Sequence, residues 1–274
     1  MVNVLFCGND KVFDGMLTAT LSILLRTTSK EPFCFYLMTM DKTDRKPQYK
    51  PISDRQVEIF SEVIRSYNSE NQVRKIDVTD LYNQEFKGCP NEIAYCSPYT
   101  LIRLLADLLP DMPDRLLYLD CDIFFNRDIH LLYDTDLDGV EYAAANDHYG
   151  KYILNPRYIN AGVLLFNMPL CLKNGIFAKS RKILRKRFLV FADQSALIRS
   201  TTKKKLLAQH YNDQKFLHPH TVVRHFSKRL FWFPYPHCAN IKQWQVDKVH
   251  KIFRYHQFDD IYAEYANIKN KYKI

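Results

Sequence analysis

Residues 115–125 read Arg-Leu-Leu-Tyr-Leu-Asp-Cys-Asp-Ile-Phe-Phe. Apolar side chains flank two acids on both sides, in the most apolar run of the chain. A carboxylate taken out of water needs a partner, because an unpaired buried charge is costly. Residues 114–120 read as a buried strand, so Asp120 and Asp122 stand at its carboxyl end. Side chains alternate along extended backbone, so the two acids share a side with Cα atoms roughly 6–7 Å apart, and Cys121 faces the opposite layer. Two hard oxygen donors at that spacing suit one divalent cation.

The segments around this stretch set its context. Strands are expected at 2–7 (VNVLFC), 32–40 (PFCFYLMTM) and 73–79 (VRKIDVT), and helices at 15–27, 51–67 with Ser53 as cap, and 97–110. The last opens on Ser97-Pro98 and closes on Pro110, a start-and-stop pattern for a helix. Further strands are expected at 140–149 and 158–168, and helices at 175–188 and from 193. Strand and helix alternate, and the strands are continuously apolar. That argues for an α/β fold whose mostly parallel sheet is covered on both faces. Ligands in such sheets bind beyond the carboxyl ends of the strands. Asn9 and Asp10 follow the first strand there, as the two acids follow a later one. After residue 208 the periodicity fades into a tail rich in aromatics and histidine. The expected organisation is one domain over 1–232 and an aromatic, basic extension over 233–274.

The chain has 274 residues, 47% of them hydrophobic and 25% charged, as in an ordinary globular protein. No apolar run reaches the about 20 residues of a membrane-spanning helix. The opening MVNVLFCGND passes straight into a strand, without the pattern of a secretory leader. Seven cysteines, without a Cys-x-x-Cys pair, argue against a disulfide framework and a cysteine zinc site. A cytoplasmic location is the expectation. The net charge of +9 is concentrated in 179–188, 201–207, 227–232 and 267–274. Such stretches are solvated helix faces, or they meet phosphate or an anionic membrane surface. No nucleic-acid-binding signature accompanies them.

An Asp-x-Asp pair serves three chemistries. It holds a metal against a diphosphate in nucleotide-sugar transferases. It supplies nucleophile and acid in Asp-x-Asp phosphatases, and paired carboxylates flank the bond in glycosidases. The phosphatase pattern opens a chain, whereas this pair lies about 120 residues in. The late pair Asp259-Asp260 lacks a preceding apolar strand and reads as a helix cap. Glycosidase carboxylates usually stand on separate strands.

The ordered set VLFCGND (4–10), SPYTLIRLLADLLP (97–110), LLYLDCDIFF (116–125), YINAGVLLFNM (158–168), FADQSAL (191–197) and VVRHFSKRLFW (222–232) resembles glycosyltransferase family 8. These are retaining, metal-dependent GT-A enzymes that include bacterial galactosyl- and glucosyltransferases of surface glycans. The resemblance implies a GT-A, Rossmann-like sheet with helices on both faces and a C-terminal helical or irregular extension. It implies Mn²⁺ or Mg²⁺ on Asp120, Asp122 and His225. It places Asn9 and Asp10 at the uracil and ribose of a UDP-sugar, and Arg103, Asp120 and Asn160 at the donor sugar. Asp193 and Gln194 lie by its anomeric centre, and Asp147 meets the acceptor. The family carries Gly and then Lys-Pro-Trp after its histidine. HFSKRLFWFPYP has neither, and Lys228 or Arg229 is expected to take the diphosphate contact.

The resulting expectation is transfer of galactose or glucose from a UDP-sugar to a glycan, glycoprotein or lipid-linked saccharide, by front-face attack. The extension closes over the donor or touches the inner face of the membrane. The alternatives are an Asp-x-Asp phosphatase and a non-catalytic nucleotide-sugar or glycan-binding module.

Overall fold

A computed structural model describes residues 1–93 and 97–274. Seven strands form the central sheet: β1 (Val2–Cys7), β2 (Phe33–Thr39), β3 (Gln72–Asp77), β4 (Arg115–Leu119), and then β6 (Tyr142–Ala145), β7 (Val163–Asn167) and β8 (Lys204–Leu207). Their order is β3-β2-β1-β4-β7-β6-β8. All run parallel except β7, which is antiparallel to both β4 and β6. The mostly parallel sheet is therefore as expected, with one reversed strand.

The order changes direction at β1, with β2 on one side and β4 on the other. That switch point opens a crevice at the carboxyl ends of both strands. Asn9 leaves β1 there and Asp120 leaves β4. Side-chain alternation divides the core in two. Val4, Phe6, Leu117 and Leu119 face α1 (Phe13–Arg26) and α2 (Asp54–Tyr67). Leu5, Leu116 and Tyr118 face the layer that holds α3 (Thr79–Phe86) and helices contributed by the second half of the chain. Ser53 caps α2 as expected, in a reciprocal capping box with Gln56.

The segment 97–110 departs from its expected α-helix. It forms two 3₁₀ turns, Pro98–Thr100 and Ile102–Leu108. Leu104 N–H bonds to Leu101 O at 3.0 Å, and the Thr100 carbonyl accepts from Arg103 Nε at 2.9 Å. Burial of Arg103 inside the molecule overrides helix propensity here. The expected strands at 140–149 and 158–168 shorten to β6 and β7.

A short antiparallel ladder joins β5 (Ile123–Phe125) to β9 (Val223–His225), pairing Ile123 with His225. Between these lie α4 (His130–Tyr133), α5 (Gly150–Ile153), α6 (Met168–Asn174), α7 (Ile176–Lys186) and α8 (Ala192–Ser200). Gly175, at φ 61°, ends α6 and opens α7 in the left-handed conformation glycine tolerates. After β9 the chain makes a hairpin, β10 (Arg229–Phe231) with β11 (His237–Ala239). It then runs through α9 (Val246–Lys248) to α10 (Asp259–Tyr272).

The extension packs into the molecule. Ile261, Tyr262, Tyr265 and Ile268 of α10 are buried in the core shared with α1. Asp259 and Asp260 are the first two residues of α10, and Asp260 is ion-paired with Arg26 of α1. Phe124 of β5 packs against Phe226, Phe258 and Tyr262, at centroid distances of 5.6, 4.9 and 5.7 Å.

Candidate active site

Backbone placement comes first. Asp120 N–H bonds to Gly162 O at 2.8 Å, so the end of β4 is fixed to the entry of β7. Phe226 N–H bonds to Asp122 O at 2.7 Å, continuing the β5–β9 ladder. This ladder carries His225 across about a hundred residues of sequence to the two acids. Ligand atoms of Asp120, Asp122 and His225 all lie within 4.8 Å of one another.

Each of the three is oriented by a second group. Asp120 Oδ1 accepts from Tyr118 Oη at 2.6 Å and from Arg103 Nη2 at 3.2 Å. Arg103 is buried, lies 3.9 Å over the Tyr118 ring, and places Nε 3.4 Å from Asp193 Oδ2. One guanidinium thus bridges Asp120 and Asp193. Burial pushes the Asp193 carboxyl up, against the pull of Arg103. His225 Nε2 stands 3.1 Å from Asp122 Oδ1 and 3.7 Å from Asp120 Oδ2.

The tautomer of His225 follows from its neighbours. Asn160 Oδ1 accepts from Gly162 N–H at 3.0 Å, so it is the acceptor of Asn212 Nδ2 at 2.9 Å. Asn212 Oδ1 must then face His225 Nδ1, 3.0 Å away, and Nδ1 carries the proton. Nε2 is left facing the two carboxylates, the side from which it could turn a lone pair to a cation seated between the three. Two hard oxygens and one imidazole nitrogen suit a divalent first-row metal or Mg²⁺, so the residues fit the metal that the sequence implied.

Lys242 is the neighbour the sequence reading missed. Its ammonium bonds to Asp122 Oδ2. Burial works to raise the Asp122 carboxyl, but Lys242 and then His225 overcome it and hold it well below the usual range. Gln243 Nε2 donates to Cys121 O at 2.7 Å, and Trp244 lines the same cavity as Lys242. The β10–β11 hairpin separates these residues from His225. A Lys-Gln-Trp triplet was the available signal, displaced by that hairpin from the expected place. Lys228 is exposed and lines neither cavity beside Asp120.

Two cavities meet at Asp120 and Arg103. One, of about 200 Å³, is lined by Asn9, Val12, Tyr99, Asp122, Lys242 and Trp244 among others. The other, of about 100 Å³, is bounded by Asn160, Ala161, Gly162, Phe191, Asp193 and Gln194. Gln194 Oε1 accepts from Ala161 N–H at 2.9 Å. Asp147 lines neither cavity. Its Oδ2 accepts from Asn160 Nδ2 at 3.0 Å, and its Oδ1 accepts from Gly150 N–H at 2.7 Å. Asp10 also lies off the cavity walls, with Oδ1 buried and without a hydrogen-bond partner among the described residues. Eight of the eleven expected residues thus line the two cavities or belong to the acid–histidine cluster at Asp120; Asp147 reaches it through Asn160, and Asp10 and Lys228 lie off the cavity walls.

A family model, Glycosyl transferase family 8, matches residues 3–220. Glycosyltransferase GlyA of Streptococcus pneumoniae serotype 4 is 38% identical over 63 residues, which are 23% of this chain and 9% of that protein. The chain therefore spans under a tenth of the length of this curated relative. Among solved structures, galactosyltransferase LgtC in complex with donor and acceptor sugar analogs aligns at TM-score 0.66 and 17% identity, over 98% of this chain and 96% of that one. An active-site glutamine-to-glutamate mutant of LgtC aligns at 0.68 and 18% identity, over 96% of each chain. GlyE of Streptococcus pneumoniae aligns at 0.63 and 19% identity, over 99% of this chain and 63% of that one. At these identities the likeness is one of fold, the GT-A arrangement of a mostly parallel sheet between helical layers. The family match rests on the sequence itself and spans most of the chain, which belongs to glycosyl transferase family 8.

Proposed function

We propose that the protein moves a hexose, galactose or glucose, from a UDP-sugar to a glycan or glycoconjugate, with retention of configuration. The observation that carries this reading is the convergence of Asp120, Asp122 and His225 at the junction of two unequal cavities. The larger cavity suits the nucleotide and the smaller suits the sugar, which puts the diphosphate at the junction. LgtC, solved in complex with donor and acceptor sugar analogs, supports a donor and an acceptor sugar here.

Asp120, Asp122 and His225 would hold Mn²⁺ or Mg²⁺. When bound, the ion supplies positive charge against the diphosphate leaving group. The chain does the rest. Asn9, with Asp10 behind it, holds the uracil and ribose. Asp120 and Asn160 bind the hexose, and Arg103 holds both Asp120 and Asp193 in place. Lys242 passes from Asp122 to the leaving phosphate, where it stabilises the charge that develops as the bond breaks. Lys228, which the sequence pattern marks for that contact, is its secondary support.

Positive charge grows at the anomeric carbon in the same step. The Gln194 Oε1 is fixed by Ala161 N–H and keeps a lone pair for that charge, and the Asp193 carboxylate adds to it. Gln194 is a weak nucleophile, which favours attack by the acceptor hydroxyl on the front face. The hydroxyl proton passes to an oxygen of the departing phosphate. Asp147, through Asn160, orders the acceptor side. Within the extension, residues 242–244 cover the donor cavity, with Trp244 excluding water from the donor.

The test is UDP release in the presence of Mn²⁺ and UDP-galactose, UDP-glucose or UDP-N-acetylglucosamine. Release with one donor is expected, together with its loss in EDTA and in Asp122→Ala. Release that survives Asp122→Ala, or no release with any donor, overturns the reading.

A further inference from the structure

A groove of about 950 Å³ lies apart from the two cavities at Asp120, between the 154–158 loop, α8 and the segment leading into β8. Four cations line it, Arg157, Arg199, Lys203 and Lys204, and no carboxylate does. None of the four is ion-paired to an acid among the described residues, whereas Arg181 and Arg185 on neighbouring α7 are held by Asp107 and Glu85. Burial and the charge of Arg157 both lower the Lys204 pKa, as for a cation set that awaits an anion.

Arg199 also borders a second cavity, of about 390 Å³, with Lys179, Lys182, Lys186 and Arg187. The cationic surface thus continues over α7. Beside it stands an apolar rim. Tyr152, Ile153 and Val190 are 78%, 76% and 62% exposed, and Leu154 and Phe188 are also exposed. A soluble polyanion has no use for such a rim, and an apolar partner has none for the cations. A molecule with phosphate at one end and hydrocarbon at the other uses both.

The groove reaches the chemistry. Phe191 lines both the groove and the sugar cavity, and Ser195 and Tyr158, joined by a 2.6 Å hydrogen bond, line the groove. Gln194 is next in the chain to Ser195. We propose that this groove holds the acceptor, a saccharide joined to a lipid through phosphate or diphosphate. The phosphate lies among Arg157, Arg199, Lys203 and Lys204, and the lipid end lies along Tyr152, Ile153, Leu154, Phe188 and Val190 at a membrane surface. This rests on the transferase reading, whose acceptor it specifies, and it puts the membrane contact on the α7–α8 face.

The test is sedimentation with phosphatidylcholine vesicles that carry polyprenyl phosphate, against plain phosphatidylcholine vesicles. Wild-type protein should bind the former, and Arg199→Ser with Lys203→Ser should weaken that binding roughly tenfold or more. Lys269→Ser with Lys271→Ser, on α10 across the sheet, should bind as wild type does. Thermal stabilisation by UDP with Mn²⁺ checks that each variant is folded. Equal binding by the groove variant, loss of binding in the α10 variant, or binding to soluble pyrophosphate without binding to the vesicles overturns the proposal. Absence of UDP release in wild type would instead strike the transferase reading, and the vesicle result would stand apart from it.

Discussion

Asn212 Oδ1 lies 3.0 Å from His225 Nδ1, and the other end of the same amide is committed to Asn160. The amide cannot rotate without losing a bond, so it fixes which imidazole nitrogen faces the acids. Asn212→Leu should leave the fold intact and weaken Mn²⁺ binding in the presence of UDP by about 10–100-fold. Calorimetric titration checks this. Unchanged metal affinity would remove Asn212 from the positioning of His225.

Gly162 has no room for a side chain. A Cβ there would lie 2.3 Å from His225 Cε1 and 2.7 Å from Asp120 Oδ2. Gly162→Ala should therefore push two proposed ligands apart, at a cost of about 1–3 kcal/mol in stability. UDP release should fall with metal affinity, and denaturant titration measures the stability cost.

Two lysines are proposed for the diphosphate, and their variants separate them. If Lys242 serves it from its place on Asp122, Lys242→Ala should lower the rate of UDP release by about 10²–10³-fold, the usual loss for a donor to developing charge. Lys228→Ala should cost less. The reverse order would return the contact to the residue that the sequence pattern indicated.

Glu141 provides a pH test away from the site. It is buried and accepts from Thr202 Oγ1 at 2.8 Å, from Asn174 Nδ2 at 2.8 Å and from the N–H groups of Thr202 and Lys203. Burial pushes its carboxyl up, but these bonds and that from Thr201 outweigh it, and its pKa is lowered. A lowered pKa means stability that is present above the unfolded value and lost as pH falls through the folded one. Glu141→Gln should thus destabilise by about 1–3 kcal/mol at neutral pH. The gap between the two proteins should close as the medium becomes more acidic than the usual carboxylate pKa of about 4. Melting curves across pH check the sign.

The legible part of the site lay where sequence and strand geometry coincide. Asp120 and Asp122 stand out because apolar neighbours make them costly, and the parallel sheet follows from the alternation around them. The 3₁₀ turns of 97–110 were hidden, because a cap and two prolines describe an α-helix equally well and the deciding interaction is the buried Arg103. Asn212 carried no signal, since an asparagine in irregular chain is ordinary until its neighbours in space are known. Lys242 was masked by the hairpin between it and His225, which moves it out of local range while leaving it beside Asp122.

The rings of Phe226, Phe258 and Tyr262 stand against Phe124, on the strand that follows Asp122. Two of the three belong to the last seventeen residues of the chain. Shortening the protein from its C-terminus would therefore remove the buttress behind the ladder that presents His225. A trimmed version designed to be more soluble would lose the geometry of the proposed ion site before it lost its sheet.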